Sequence, residues 1–183
     1  MSRGAKAAGA VVVVAVLVGG YFTVQALTAP DNHPLTLPRS IEGDALRYSN
    51  TDASPLPGLD DMAGALGLQN GTTGLYGNAP QNTIWPQREM WRLMIGQPVA
   101  SFDDQNSKEA ASGDLKLMPS SLPGTLYCNP PDISSWPAIC VWSDLQHGII
   151  LSRATGAGAK APNAADIQQM AAAVAKIHDG TEH

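Results

Sequence analysis

Aromatic and charged residues are scarce: Phe, Trp and Tyr make up 5% of the 183 residues, and Asp, Glu, Lys and Arg 15%. No acidic residue occurs before Asp31, and only two cysteines occur anywhere. Each shortage excludes something. After residue 30 there are nine Lys and Arg against sixteen Asp and Glu, a net charge of −7. That is the opposite of the basic footprint a phosphate backbone requires, so nucleic acid is not expected as a partner. An acidic domain likewise gains nothing from an anionic membrane surface. Two cysteines with no CxxC spacing do not make a zinc site, and no cofactor or metal is expected. GxSxG, GxxxxGK[ST] and a complete calcium loop are all missing, so the sequence carries no recognised catalytic motif. Few aromatics, with 18 Gly and 14 Pro, predict a small core and much irregular chain.

What is abundant is a hydrophobic run at the N-terminus. Arg3 and Lys6 precede Ala7–Leu27, in which Gln25 is the only strongly polar residue. Twenty-one helical residues span about 31 Å at ~1.5 Å each, the thickness of a bilayer's hydrocarbon core. Positive charge on the short side puts the N-terminus in the cytoplasm and the rest of the chain outside. The expected organisation is a cytoplasmic tail (1–6), a transmembrane anchor (7–27), a Pro-punctuated tether (28–37) and an extracytoplasmic domain (38–183). Cleavage after Ala26 is the rival, because Val24-Gln25-Ala26 fits a small-x-small site; the run is longer than a signal peptide's apolar region. If the anchor stays, the tail is too short to carry an output domain.

Beyond the tether, the first structured segment is expected at Ser40–Ser49, a short helix or packed loop between Asp60 and Leu66, and a strand at Thr72–Tyr76. Glu89–Ile95 reads as a strand. Phe102–Leu117 is ambiguous: Lys108–Ala111 favour helix, and Gly113 breaks it. Thr125–Cys128, Ala138–Ser143 and Ile149–Ser152 read as three strands with short connections, an antiparallel meander. Thr155–Pro162 is a link. Asn163 is a candidate N-cap, with Asp166 in the first turn. Ile167, Met170, Ala171, Val174 and Ile177 then follow helical spacing, Lys176 and His178 occupy the last turn, and Gly180 lies just beyond. The expected fold class is α+β, a small antiparallel sheet with the C-terminal helix packed on it, behind one transmembrane helix.

Cys128 and Cys140 lie on neighbouring predicted strands in an oxidising compartment, so a disulfide is expected between them. Ser143, Asp144 and His147 suggest a triad, but triads assemble in space around an exposed nucleophile, and an exposed turn histidine is the better reading. Asp103, Asp104, Asn106 and Glu109 resemble part of a calcium loop without its glycine, so a solvated loop is expected. Gly156–Lys160 imitates a phosphate loop without the spacing and reads as linker. Trp85, Trp91 and Trp142 are expected as core anchors. Trp136, in the Pro-rich loop between the cysteines, is the candidate partner contact. Asn70-Gly71-Thr72 is a sequon, meaningful only in a glycosylating host.

Leu126-Tyr127-Cys128, then Ile139-Cys140-Val141-Trp142-Ser143-Asp144, then Gly148-Ile149-Ile150 and a C-terminal helix resemble a group of uncharacterised actinomycete single-pass exported membrane proteins. These carry a Cys, a spacer, and a Cys-(Ala/Val)-Trp-(Ala/Ser)-Asp run. Leu37-Pro38-Arg39-Ser40-Ile41 with Gly43 is similar to their opening, and Leu75-Tyr76-Gly77 to their first hairpin. The chain departs from them in its Trp- and Pro-rich insert between the cysteines and in Trp85–Trp91. The resemblance implies a cell-envelope location and the disulfide, and no reaction. The expected function is a non-enzymatic, membrane-anchored extracytoplasmic domain that binds a protein or envelope component. The alternatives are a small envelope hydrolase without a recognisable motif, and an accessory subunit of a membrane complex.

Overall fold

A computed structural model describes residues 35–52, 58–59, 62–77, 90–130, 137–154 and 161–180, all within the unit Pro34–His183. The 7–27 segment, Trp85, Trp136 and the 156–160 stretch lie outside the described residues. Among the described residues no helix is long and apolar enough to cross a membrane.

Among the described residues, eight strands form one antiparallel sheet in the order β1-β2-β3-β4-β8-β7-β6-β5. β1 (Ser40–Ile41) and β2 (Asp44–Ser49) make a tight hairpin through Glu42 and Gly43, both at positive φ, a turn that matches strand twist. A short helix α1 (Met62–Ala65) leads into β3 (Leu68–Gly77), which pairs with β4 (Met90–Pro98). Helix α2 (Phe102–Ser112) then carries the chain from the sheet's centre to its far edge. There β5 (Lys116–Leu117), β6 (Thr125–Cys128), β7 (Ala138–Ser143) and β8 (Gly148–Ala154) meander back until β8 pairs with β4. Helix α3 (Ala164–His178) closes the chain.

Period-2 alternation divides the sheet's residues between its two faces. Trp91, Leu93, Ile95, Cys128, Cys140, Trp142 and Leu151 face α3, whose Ile167, Met170, Val174 and Ile177 meet them. Each such buried side chain contributes roughly 1.5–3 kcal/mol relative to exposure. Asn163 caps α3 as expected: its side chain accepts the Ala165 and Asp166 amides, and Asp166 accepts the Asn163 amide. On the opposite face Met94, Val141 and Ile150 pack with Phe102 of α2, Ala63 of α1 and Leu68.

Two expectations need correction. The sheet is not small, and the core is not limited by the scarcity of aromatics; aliphatic side chains fill it. Several glycines counted as loop formers lie inside strands: Gly71, Gly74 and Gly77 in β3, Gly96 in β4 and Gly148 in β8. They serve close approach. A Cβ at Gly71 would meet Ala63 Cβ at 2.3 Å, one at Gly148 would meet Leu68 Cδ2 at 2.5 Å, and one at Gly96 would meet Gln69 O at 2.8 Å. Also, Asp103–Glu109 is not a loop but the body of α2. Helix geometry points these side chains around a cylinder rather than inward to a cation, and no metal-ligand cluster occurs among the described residues. Gly113, at φ 92°, ends the helix and explains the mixed signal of the sequence there.

Candidate functional site

The disulfide is present. Cys128 and Cys140 are directly opposed across β6 and β7, with Cα atoms 4.1 Å apart, and neither is solvent-exposed. Beyond the disulfide the Asn129 amide donates to Ile139 O at 3.0 Å, and the Asn129 side chain accepts the Ile139 amide at 2.9 Å and donates to Pro137 O at 3.3 Å. Both ends of the intervening loop are therefore fixed, while Trp136 itself is outside the described residues.

Ser143, Asp144 and His147 lie around a turn, and His147 is half-buried there rather than exposed as expected, because its ring lies against the Asp144 carboxylate. Asp144 Oδ1 accepts the Gln146 and His147 amides at 2.7 and 2.6 Å, and Asp144 Oδ2 lies 3.6 Å from His147 Nδ1. Ser143 is 1% exposed and donates its hydroxyl to Asp103 Oδ1. A nucleophile buried this way cannot meet a substrate, so these residues do not act as a triad. Trp91 and Trp142 are core anchors as expected. Trp91 Nε1 donates to Asp44 Oδ2 at 3.1 Å beneath the Arg153 guanidinium, 5.1 Å from the ring centroid. Trp142 Nε1 donates to Pro123 O at 2.9 Å, and its ring meets buried His178 edge-on at 4.8 Å. Asn70 of the sequon sits at φ 51° inside a β3 bulge and donates to Gln97 Oε1 at 3.3 Å.

Desolvation marks two further side chains. Burial pushes the Tyr76 hydroxyl well above the ordinary tyrosine range, and pulls the Arg92 guanidinium in the middle of β4 below the ordinary arginine range.

The site that the sequence does not announce is a cleft of about 470 Å³ between α1, α2 and the sheet. Its floor is apolar: Phe102, Ile139, Val141 and Ile150. Leu66, 46% exposed, forms one lip; Gln105, Lys108 and Glu109, all exposed, form the other. Between floor and rim lies Asn106, 8% exposed. Its Nδ2 is shielded from water and has no hydrogen-bond acceptor. The wall that carries it is pinned at its start, because Ser143 of β7 holds Asp103 in the first turn of α2. A second groove of about 370 Å³ runs beside α3, but its polar lining, Ser120, Ser121 and Gln168, is exposed. A Phe at 102 places position 106 on the same helix face one turn later, which is the one sequence signal for a buried Asn106. An amide over an apolar floor binds and orients; it neither accepts nor gives up a proton at ordinary pH.

No protein-family model matches the chain, and no curated protein or solved structure does either.

Proposed function

We propose that this chain is a single-pass cell-membrane protein, N-terminus inside, whose extracytoplasmic α+β domain is a non-enzymatic binding module for a component of the cell envelope. The observation that carries the binding reading is the cleft: its volume is within the range typical of small-ligand sites, and an apolar floor with one buried polar group is their usual construction. The export reading is supported by Arg3 and Lys6 before Ala7–Leu27 and by the compartment in which a disulfide such as Cys128–Cys140 persists. The resemblance to actinomycete exported proteins agrees with it.

The test is a methyl-labelled titration of the full-length chain in lipid nanodiscs with solvent-extracted envelope lipids and, separately, a cell-wall digest. Saturable shifts of the Ile139, Val141 and Ile150 methyls, with Ile167 and Ile177 on the opposite core unmoved, are the expected result. Uniform shifts, or none with either extract, would remove the cleft as the binding site. Trp136 remains a proposed second contact, on a loop whose ends are clamped by the disulfide and Asn129.

A further inference from the structure

Asn106 works against folding where it stands. Asparagine is a poor residue for a helix interior, and its side chain is 8% exposed with a shielded Nδ2 that has no acceptor. Phe102, one turn earlier, completes the apolar face, and an aliphatic side chain at 106 would extend it. Thr73 Oγ1 and the Tyr76 hydroxyl are also buried without partners, but neither lines this cleft. Asn106 combines both properties.

From this we infer that the cleft takes a small neutral ligand with an apolar body and a carbonyl oxygen, and that Asn106 Nδ2 donates to that oxygen. The inference rests on the binding reading above and names its ligand class. The donor needs an acceptor, and the floor of Phe102, Ile139, Val141 and Ile150 needs an apolar body. A charged acceptor is disfavoured: burying a carboxylate over that floor carries a large desolvation cost, and the cation in the cleft's lining, Lys108, is exposed and adjacent to Glu109. The terminal torsion of asparagine is soft, so the amide turns toward a ligand without moving the helix.

The probes are benzamide, toluene and benzoate, titrated against the full-length chain in nanodiscs at measured free concentrations. Benzamide shifts the Ile139 and Ile150 methyls together with the Asn106 side-chain amide signals. Toluene shifts the methyls and leaves the Asn106 amide in place, and benzoate binds most weakly. Asn106→Leu weakens benzamide roughly tenfold and leaves toluene within about twofold. Equal responses of both probes to the substitution, an Asn106 amide indifferent to benzamide, or benzoate binding as tightly as benzamide overturns the ligand class while the cleft stands. No methyl response to any probe overturns the cleft as well. If Asn106→Leu does not fold, the amide response of the unsubstituted chain decides alone.

Discussion

Asn106 sets function against stability within a single side chain. A buried, unpaired amide costs about 1–3 kcal/mol of desolvation that no contact returns in the free protein. Asn106→Leu is therefore expected to stabilise the free protein by about 1–2 kcal/mol, read as a higher urea midpoint at unchanged slope. A lower midpoint would mean that the amide has a folding role. Ser143 is its counterpart. It is 1% exposed and fully committed to Asp103, so Ser143→Ala is expected to cost about 1 kcal/mol in the same measurement and to loosen the cleft's wall. The two residues also show why proximity in sequence misleads. Ser143 stands next to Asp144 and close to His147 in the chain, yet its hydroxyl donates to Asp103, 40 residues away.

Among elements, α3 was the most legible. Its cap, its apolar stripe and its end are all written locally, and each is where the pattern puts it. The β6–β7–β8 meander and its disulfide were legible for the same reason: short connections and alternation need no distant partner. β3 was read as Thr72–Tyr76 but runs from Leu68 to Gly77, and the missing side chain of Gly71 within it is what admits Ala63. α2 was ambiguous because Gly113 follows its helix formers as a breaker and only Phe102 and Asn106 of the helix are buried, too few to set an apolar stripe. The pairing of β4 with β8 joins residues about 60 apart, and nothing local encodes it.

Three consequences belong to this scale. Removing the cross-link, as in Cys128→Ala with Cys140→Ala, is expected to cost about 3 kcal/mol for a loop closed over a separation of 12 residues. Gly96→Ala pushes a methyl against backbone at Gln69 and Gly71 and is expected to destabilise by about 1–3 kcal/mol in equilibrium unfolding. The β1–β2 turn is tied to α3 by Glu42, which accepts from Lys176 at 2.7 Å and Gln169 at 3.0 Å. These bonds hold the Glu42 carboxyl below its ordinary value of 4.5. A depressed carboxyl stabilises the fold above its unfolded pKa and loses that contribution as pH falls through the folded one. Both side chains reach solvent, so the pair is worth only about 0.2–1 kcal/mol. Glu42→Gln is expected to lower stability by that much at pH 7, with the difference vanishing well below pH 4.5.

At the scale of the whole molecule, the helices are distributed unequally over the two faces of the sheet. α3 seals one face over a continuous core that includes the disulfide and Trp142. On the other face α1 and α2 leave a cleft between them, floored by the same strands. A domain so arranged has one face covered by α3 and one face with an open cleft, which is the proposed recognition side. Scarcity of aromatics did not limit the core, because aliphatic side chains and intrastrand glycines let the layers approach closely.

The binding claim is most directly tested by site-specific photocrosslinking in intact cells, with a benzophenone amino acid in place of Leu66 at the cleft's lip or Leu145 at the β7–β8 turn. Both positions are exposed, at 46% and 91%. The account predicts a discrete adduct of envelope origin from position 66, diminished by Ile139→Trp in the cleft floor, and none from position 145. Equal adducts from both positions, or none from position 66, would contradict it.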